Sequence, residues 1–328
     1  MSVPAFTGYG EHKLHSLSPQ QLAHVREVGL ALFQGRGLQA EHGGLINVLD
    51  PKPLQDTKGN IDGTGQEFQR SEAGTRQRRQ GSPGGSRQPW RPSDPHGTVL
   101  HRAFLSAEAP AALRQHYTGV KRWKELGGKG VWLAVSVFPV GMEGPQADFI
   151  IAVPRNPTFR IVAWGFWRMK DGPIWMGPKH TNYPDGSSCA FPVNSGVWTE
   201  DHGITAYVDR LAEWSMRHLY LDAEGLWPGP QEGDHIYYRL RHTHPRECCT
   251  RCWQLEPYQS CCQALDQKES AAGDREDFIA LYGSDVAEQR PHSRLLRWME
   301  RMRGAPPSMS RIHPSLRATR ELACGSDD

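Results

Sequence analysis

The stretch that decides the fold class is Val131-Trp-Leu-Ala-Val-Ser-Val-Phe138, which a proline follows. Its β-branched and aromatic residues are typical of a β-strand. Two further strand-like runs follow at Asp148–Val153 and Phe159–Trp167. Because turns rich in Gly and Pro separate the three runs, the sequence predicts an antiparallel meander.

Helical patterns flank this meander. Before it, Glu108–Leu126 is predicted to be a helix with Pro110 in its first turn. After it, residues 204–219 have the apolar spacing of an amphipathic helix. Shorter helices are predicted at residues 18–34 and 293–303. For the last of these, packing on its own domain is favoured over binding a partner or a membrane surface. Helices around an antiparallel sheet indicate an α+β fold.

The segment before the meander has a different composition. Of the 328 residues, 34 are Gly, 25 are Pro and only 38% are apolar. Residues 50–104 are rich in Gly, Arg, Ser and Pro, and such a segment cannot bury enough surface to offset its ordering entropy. We predict a disordered, solvated linker there and favour it over a nucleic-acid contact. The net charge of +2 implies neither nucleic acid nor a membrane as a partner.

The sequence predicts a cytoplasmic protein. No window holds about 18 uncharged apolar residues, as a transmembrane helix requires. Residues 1–10 lack the basic and apolar pattern of a secretory signal. In the cytoplasm the seven cysteines are expected to be reduced, so clustered ones are interpreted as metal ligands or nucleophiles.

One cysteine, Cys189, lies in a loop rich in turn-forming residues. The run Tyr183-Pro-Asp-Gly186 favours a tight turn, so we expect the loop to be exposed and its thiol to be reactive. The side-chain amide of Asn182 could stabilise the oxyanion formed when an acyl thioester is attacked. His180 could orient the loop, act as a base, or be purely structural. On these features alone, a cysteine with no catalytic role is the more common case.

The same loop resembles the active-site segment of ubiquitin-conjugating enzymes, which carry a His-Pro-Asn tripeptide, a Tyr-Pro-x-Gly turn and then the thioester-forming Cys. Here the tripeptide is His180-Thr-Asn182, and the Asn-to-Cys spacing is one residue shorter than in the usual eukaryotic pattern. The form most resembles divergent bacterial members, including those of CBASS-type anti-phage defence operons. The matching downstream features are Trp198 and the ending Gly225-Leu-Trp-Pro-Gly229.

This resemblance implies a ubiquitin-conjugating (UBC-like) domain at residues 105–240. Cys189 would take the carboxyl group of a ubiquitin-like modifier from an activating enzyme and pass it to an amine on a protein target. No metal or organic cofactor is implied for this step. Asp185, Glu200 and Asp201 are candidate acids beside the incoming amine. Inactive relatives exist, so the alternative is a module that only binds a ubiquitin-like protein or another partner.

Five cysteines lie between residues 248 and 262. The short Cys-x-x-Cys spacing suits two ligands on one tetrahedral ion, and a following Cys-Cys pair could close a four-thiolate zinc site. The predicted ligands are Cys249, Cys252, Cys261 and Cys262. Cys248, His242 and His244 are alternative ligands. Structural disulfides and a redox pair are less favoured in a reducing cytoplasm. Cys324 is expected to be incidental.

The cysteine run also resembles the SEC-C motif, a Cys-x-Cys followed after eight residues by Cys-Cys or Cys-His. Cys252, Tyr258 and the final pair match it, whereas Thr250 stands where its first cysteine is expected. The resemblance implies structural zinc, or zinc for docking a partner, and leaves a zinc-organised adaptor as a third reading. The predicted organisation is a helical segment (1–49), the linker (50–104), the UBC-like domain (105–240), a zinc module (241–270), and a C-terminal helix with a loose tail (271–328).

Overall fold

The computed structural model describes residues 17–33, 38–41, 45–48, 104–125, 129–139, 143–156, 161–190, 203–229, 231, 235–252, 254–269, 272–282, 285, 289–301 and 305–312. The predicted linker lies outside the described residues except for its last one. The same holds for Trp198, Glu200, Asp201 and Cys324. Among the helices of the described segments, none is both long enough and apolar enough to cross a lipid bilayer.

Helices lie before, between and after runs of consecutive strands along the described chain. The helices are α1 (Pro19–Phe33), α2 (Ala109–Arg114), α3 (Gly203–Glu224), α4 (Ile236–His242), α5 (Gln263–Glu269), α6 (Ala272–Tyr282), α7 (Ser293–Arg301) and α8 (Met309–Ile312). The strands are β1 (Leu38–Glu41), β2 (Leu45–Val48), β3 (Thr118–Lys124), β4 (Gly130–Val137), β5 (Ala147–Pro154), β6 (Val162–Met169), β7 (Gly172–Trp175), β8 (Cys248–Cys249) and β9 (Gln254–Pro257).

The centre of the molecule is an antiparallel sheet with the strand order β3-β4-β5-β6-β7. Each strand pairs with its neighbour in sequence, which is the predicted meander extended by one strand at either edge. Two small antiparallel pairs, β1-β2 and β8-β9, stand apart from it. The α+β class and the antiparallel sheet are therefore confirmed.

Both faces of the sheet are covered, which is why all eight residues of β4 are buried. One face packs against α1, α2 and α3 through a cluster that includes Val28, Leu113 and Val208. The other face carries Trp132 and Trp164 and is covered by side chains of α7 and α8. The basic helix at 293–301 thus packs on its own domain, as predicted, through Leu295, Trp298 and Met299.

The predicted helix at Glu108–Leu126 is wrong in its second half. The helix α2 ends at Arg114, and β3 begins at Thr118. Gly119 takes φ +62, and a Cβ there would lie 2.2 Å from Ser136 Oγ, so the backbone of β3 approaches β4 closely. Trp123 then packs edge-on against Trp298 of α7 at 5.0 Å. Strand pairing and this aromatic contact outweigh the helical spacing of the sequence.

Candidate functional site

The predicted turn forms a tight hairpin between Thr181 and Ser188. An isolated bridge pairs these two residues, and Cys189 N–H donates to the carbonyl of His180 at 3.0 Å. The turn is closed by Asn182 N–H on the Ser187 carbonyl at 2.6 Å. Gly186 at the turn has φ +65, a conformation that favours glycine. The local sequence therefore forms the turn that its Pro-Asp-Gly chemistry predicts.

Three indole groups fix the hairpin to the rest of the fold. Trp164 of β6 donates to the Asp185 carbonyl at 2.9 Å, and Trp175 of β7 donates to the Gly186 carbonyl at 3.1 Å. Trp214 of α3 donates to the His180 carbonyl at 3.0 Å. Trp164 and Trp214 are themselves buried, as are Trp167 and Trp227. The hairpin is therefore held by the sheet and the long helix together.

Cys189 comes directly after the bridge, at the point where the chain leaves the hairpin. Its thiol is half-buried, and the backbone before it is tied to β6, because Ser188 N–H donates to the Ala163 carbonyl at 2.6 Å. The following residue, Ala190, packs against the main core. A partly accessible thiol on a rigid support can be presented to a reactant in a defined position.

The side-chain amide of Asn182 is occupied within the hairpin. Its Nδ2 donates to Ser187 Oγ at 3.2 Å and to the Ser188 carbonyl at 3.0 Å. In this arrangement the amide braces the backbone that leads into Cys189. The predicted part of Asn182 in oxyanion stabilisation stays a prediction.

His180 is held firmly in a backbone conformation that is uncommon for a residue with a side chain, with φ +51. Its ring stacks on Trp227 at 3.7 Å between centroids. Its Nε2 lies 3.1 Å from Oε1 of Gln231, whose own Nε2 donates to Glu247. Since that second bond turns Oε1 towards the histidine, His180 Nε2 is the protonated nitrogen. Burial and the charge of Lys179 hold the pKa of His180 well below its usual value, so the ring is neutral.

A buried ion pair lies beside the hairpin and was not foreseen from the sequence. Lys179 Nζ lies 2.5 Å from Oε2 of Glu247, and the two side chains are 2% and 1% exposed. The lysine also donates to the carbonyl of His242. Glu247 accepts further bonds from Trp227 N–H at 2.7 Å, from Gln231 at 3.0 Å and from His244 N–H at 3.0 Å. Hydrogen bonds thus surround this carboxylate, as a buried charge requires.

Neutral histidines are gathered around this lysine. Burial and the nearby charge of Lys179 lower the pKa of His218 to about 3, and the pKa of His242 is lowered to about 3 for the same two reasons. Both Nε2 atoms are buried, and neither has a hydrogen-bond partner within the described part of the chain. Burial also lowers the pKa of Lys179, whereas the charge of Glu247 acts in the opposite direction.

The second site is the cysteine cluster. The four predicted sulfurs lie within 4.8 Å of one another: Cys249, Cys252, Cys261 and Cys262. Cys249 belongs to β8, Cys252 to the turn after it, and the last two follow a 3-10 turn at Tyr258–Ser260. Cys252 Sγ and Cys261 Sγ are 3.0 Å apart, well beyond the disulfide bond length of about 2.05 Å. Four thiols ligating zinc at about 2.3 Å would lie about 3.8 Å apart, so this donor set fits a tetrahedral thiophilic ion.

The geometry also decides between the two candidate first ligands. Both Cys248 and Cys249 are buried in β8 and pair with β9, but only the sulfur of Cys249 lies in the group of four. Burial raises the pKa of the Cys249 thiol, but the N–H groups of Cys252 and Arg251 and the neighbouring thiols outweigh it, so that this pKa is lowered overall. Backbone N–H groups directed at a sulfur are suited to a metal-bound thiolate.

A second buried charge network supports the cluster from α5. Asp266 is fully buried and binds Arg239 through two bonds of 2.7 and 2.8 Å. Arg251 and the Tyr258 hydroxyl complete its shell at 2.9 and 2.7 Å. Burial would raise the pKa of Asp266, but the bonds from Arg239 and Tyr258 and the arginine charges lower it. The cysteine turns are thereby joined to α4 and α5.

We expect reduced protein to hold one zinc ion per chain and Cys252→Ser to lose most of it, because a three-thiolate site binds zinc far more weakly. Metal content by mass spectrometry checks this. Cys248→Ser is the matched control and should keep the ion. Equal zinc in Cys252→Ser and the parent would contradict the assignment.

The histidines predict that acid weakens the fold. In the unfolded chain these histidines become protonated below pH 6.5, whereas in the folded protein His218 and His242 stay neutral down to about pH 3. The free energy of unfolding therefore decreases as the pH falls. Between pH 6.5 and 5 the two together account for about 3 kcal/mol, because an unfolded imidazole is already half protonated at the upper value. Urea unfolding at these two pH values measures the change in the free energy of unfolding. His218→Gln should reduce this pH dependence by its own share of about 1.5 kcal/mol, while the contributions of His180 and His242 remain. An unaltered pH dependence in His218→Gln would refute the prediction.

Comparisons with known proteins identify no relative of this chain. No family model, no curated protein and no solved structure matches the chain. The resemblances to ubiquitin-conjugating enzymes and to the SEC-C motif therefore depend on the residues quoted for them. The geometry adds a five-stranded antiparallel sheet, an anchored Cys189 hairpin and a four-cysteine cluster that could hold a metal ion.

Proposed function

We propose that this protein is a ubiquitin-conjugating-type acyl carrier, in which Cys189 holds a ubiquitin-like modifier as a thioester and passes it to an amine on a target. A bacterial conjugation or anti-phage defence pathway is the setting that the resemblance implies. The observation that carries the proposal is the hairpin before Cys189. Hydrogen bonds from β6, β7 and α3 anchor it, and the half-buried thiol follows it directly.

The order of elements supports the proposal. A short helix, an antiparallel meander, a turn with its cysteine and a long helix follow one another, as expected for the UBC-like domain. The Trp-Pro-Gly ending, distant in sequence, contributes to the site, since Trp227 stacks on His180. His180 of the tripeptide and Trp227 of the ending are thus in contact, although 47 residues separate them in the sequence.

In the proposed reaction this chain contributes one reacting atom, the sulfur of Cys189. The Cys189 thiolate attacks the thioester carbonyl of the modifier, its sulfur bonds to the acyl carbon, and the thiolate of the activating enzyme leaves. In the second step an amine nitrogen attacks the same carbon, loses a proton to solvent or a base, and releases Cys189 as thiolate. Both steps exchange an acyl group without oxidation and need no metal at the thiol.

The residues around the thiol have positioning roles in this proposal. Asn182 braces the hairpin through Ser187 and Ser188. His180 is neutral, and its backbone carbonyl receives both Cys189 N–H and Trp214. The carboxylate of Asp185 accepts bonds from the backbone and hydroxyl of Ser187, at 3.0 and 2.8 Å. This occupation favours a turn-stabilising role for Asp185 over deprotonation of the amine.

One observation favours an alternative function. The Asn182 amide, which would serve the oxyanion, is already hydrogen-bonded inside the hairpin. A module that binds a ubiquitin-like protein without accepting its carboxyl group would tolerate this arrangement. The two functions differ in whether an acyl group is ever found on Cys189.

A labelled Gly-Gly peptide, activated as the thioester of 2-mercaptoethanesulfonate, imitates the modifier's C-terminus and tests acyl acceptance directly. We expect one acyl adduct per chain, seen as a mass increase that excess thiol reverses. Cys189→Ala should abolish it. Cys189→Ser should give an ester that survives thiol treatment, because an alkoxide leaves less readily than a thiolate.

Cys248→Ala is the control for the buried cysteines and should still be acylated. The protein is kept saturated with zinc so that the cluster thiols are protected. If Cys189→Ala forms as much adduct as the parent, the carrier assignment is wrong. If no adduct forms on the parent, whereas a ubiquitin-like protein binds it, the inactive module is supported instead.

A further inference from the structure

Glu247 lies between the two sites in the fold. It precedes the cluster ligand Cys249 by two residues, and its backbone is held on both sides. Its N–H donates to the His244 carbonyl at 2.9 Å, and its carbonyl accepts Tyr258 N–H at 2.8 Å. Tyr258 opens the turn that leads to the other ligands, because Cys262 N–H donates to its carbonyl at 3.1 Å. The position of Glu247 therefore depends on both halves of the cysteine module.

Lys179, the ion-pair partner of Glu247, belongs to the segment that carries Cys189. It directly precedes His180, whose carbonyl receives Cys189 N–H at 3.0 Å. Its ammonium group is 2% exposed and lies 2.5 Å from Glu247 Oε2. Only one bonded step along the chain and one hydrogen bond separate this ion pair from the backbone of Cys189.

The two charges depend on each other because both side chains are buried. Leaving one member of a buried ion pair without its partner is strongly unfavourable, since the remaining charge keeps its desolvation penalty. If the cysteine module opens, Glu247 moves away and Lys179 must reach water or lose its proton. Either change displaces His180, which is also bound to Glu247 through Gln231.

The module in turn depends on a bound ion. Four sulfurs within 4.8 Å of one another form a compact donor set that suits a metal ion. The regular secondary structure around the cysteines is short, with a two-residue strand at β8 and a three-residue turn at Tyr258–Ser260, and beside the sulfurs it is the Asp266 network that joins them to α4 and α5. Metal binding and the fold of this module are therefore linked.

We propose that the ion held by the four cysteines positions Cys189 through Glu247 and Lys179, so that the accessibility of the thiol depends on metal occupancy. Glu247 is then a positioning residue for the thiol and an anchor of the metal module. The role of this coupling in acyl transfer rests on the proposed function, whereas the coupling itself does not.

The test uses the full chain, saturated with zinc or stripped of metal by a chelator. The rate at which iodoacetamide alkylates Cys189 is followed between pH 6 and about 9 by peptide mass spectrometry, a range that brackets an ordinary thiol pKa. We expect stripping to raise the rate on the order of tenfold, as local opening exposes a half-buried group, and to shift its pH profile. Amide exchange across residues 179–190 should accelerate at the same time.

Glu247→Gln separates the coupling from the metal. With zinc bound, its Cys189 should already react at the faster rate, and stripping should add little. If this variant does not fold, Lys179→Met/Glu247→Gln takes its place, because it leaves no unpaired charge, and its rate should likewise no longer respond to zinc. Arg26→Gln, which removes the surface pair with Glu224, is the control and should respond as the parent does.

The coupling is overturned if stripping zinc leaves the Cys189 rate and its pH profile unchanged, or if the effects of stripping and of Glu247→Gln simply add. Neither readout involves a thioester. Loss of acylation by the Gly-Gly thioester, with the zinc response intact, would refute the proposed function and leave the coupling standing.

Discussion

The buried pair of Lys179 and Glu247 is the interaction on which the candidate site depends. Its charges are 2.5 Å apart and almost wholly shielded from water. Such a pair contributes little net stability compared with an apolar contact, but it is specific, because each charge is costly without the other. It joins the hairpin to the cysteine module and gathers His180, Gln231 and Trp227 around one carboxylate.

Further contacts hold the hairpin in the position that the ion pair supports. Indole N–H groups from the sheet and from α3 occupy the carbonyls of the turn. From the opposite side, Gln289 donates to the backbone carbonyl and hydroxyl of Thr181 at 2.7 and 2.8 Å. Phe278 of α6 packs edge-on against Tyr183 at 5.2 Å. The loop was expected to be exposed, but Thr181 and Ser187 are buried. It is held by several elements, and Cys189 is presented from a fixed backbone.

The sequence predicts those parts of the molecule that are encoded locally. The apolar run at 131–138 identifies β4, a strand buried inside the sheet, and the short spacings of the cysteines already bring four sulfurs together. Prediction from the sequence fails where contacts between residues distant in sequence determine the structure. The run 108–126 has helical spacing, yet pairing with β4 makes its second half a strand. Lys179 and Glu247 lie 68 residues apart in the sequence. Charged residues are almost never buried unless they are paired, and no local pattern in the sequence shows that these two residues pair.

A double-mutant cycle on this pair tests the account most directly. The free energy of unfolding is measured in urea for zinc-saturated parent, Lys179→Met, Glu247→Gln and the double variant. If the pair is buried and mutually dependent, each single change costs about 3–5 kcal/mol and the double variant recovers most of that loss. Two small losses that add in the double variant would show independent, hydrated side chains and would contradict the account.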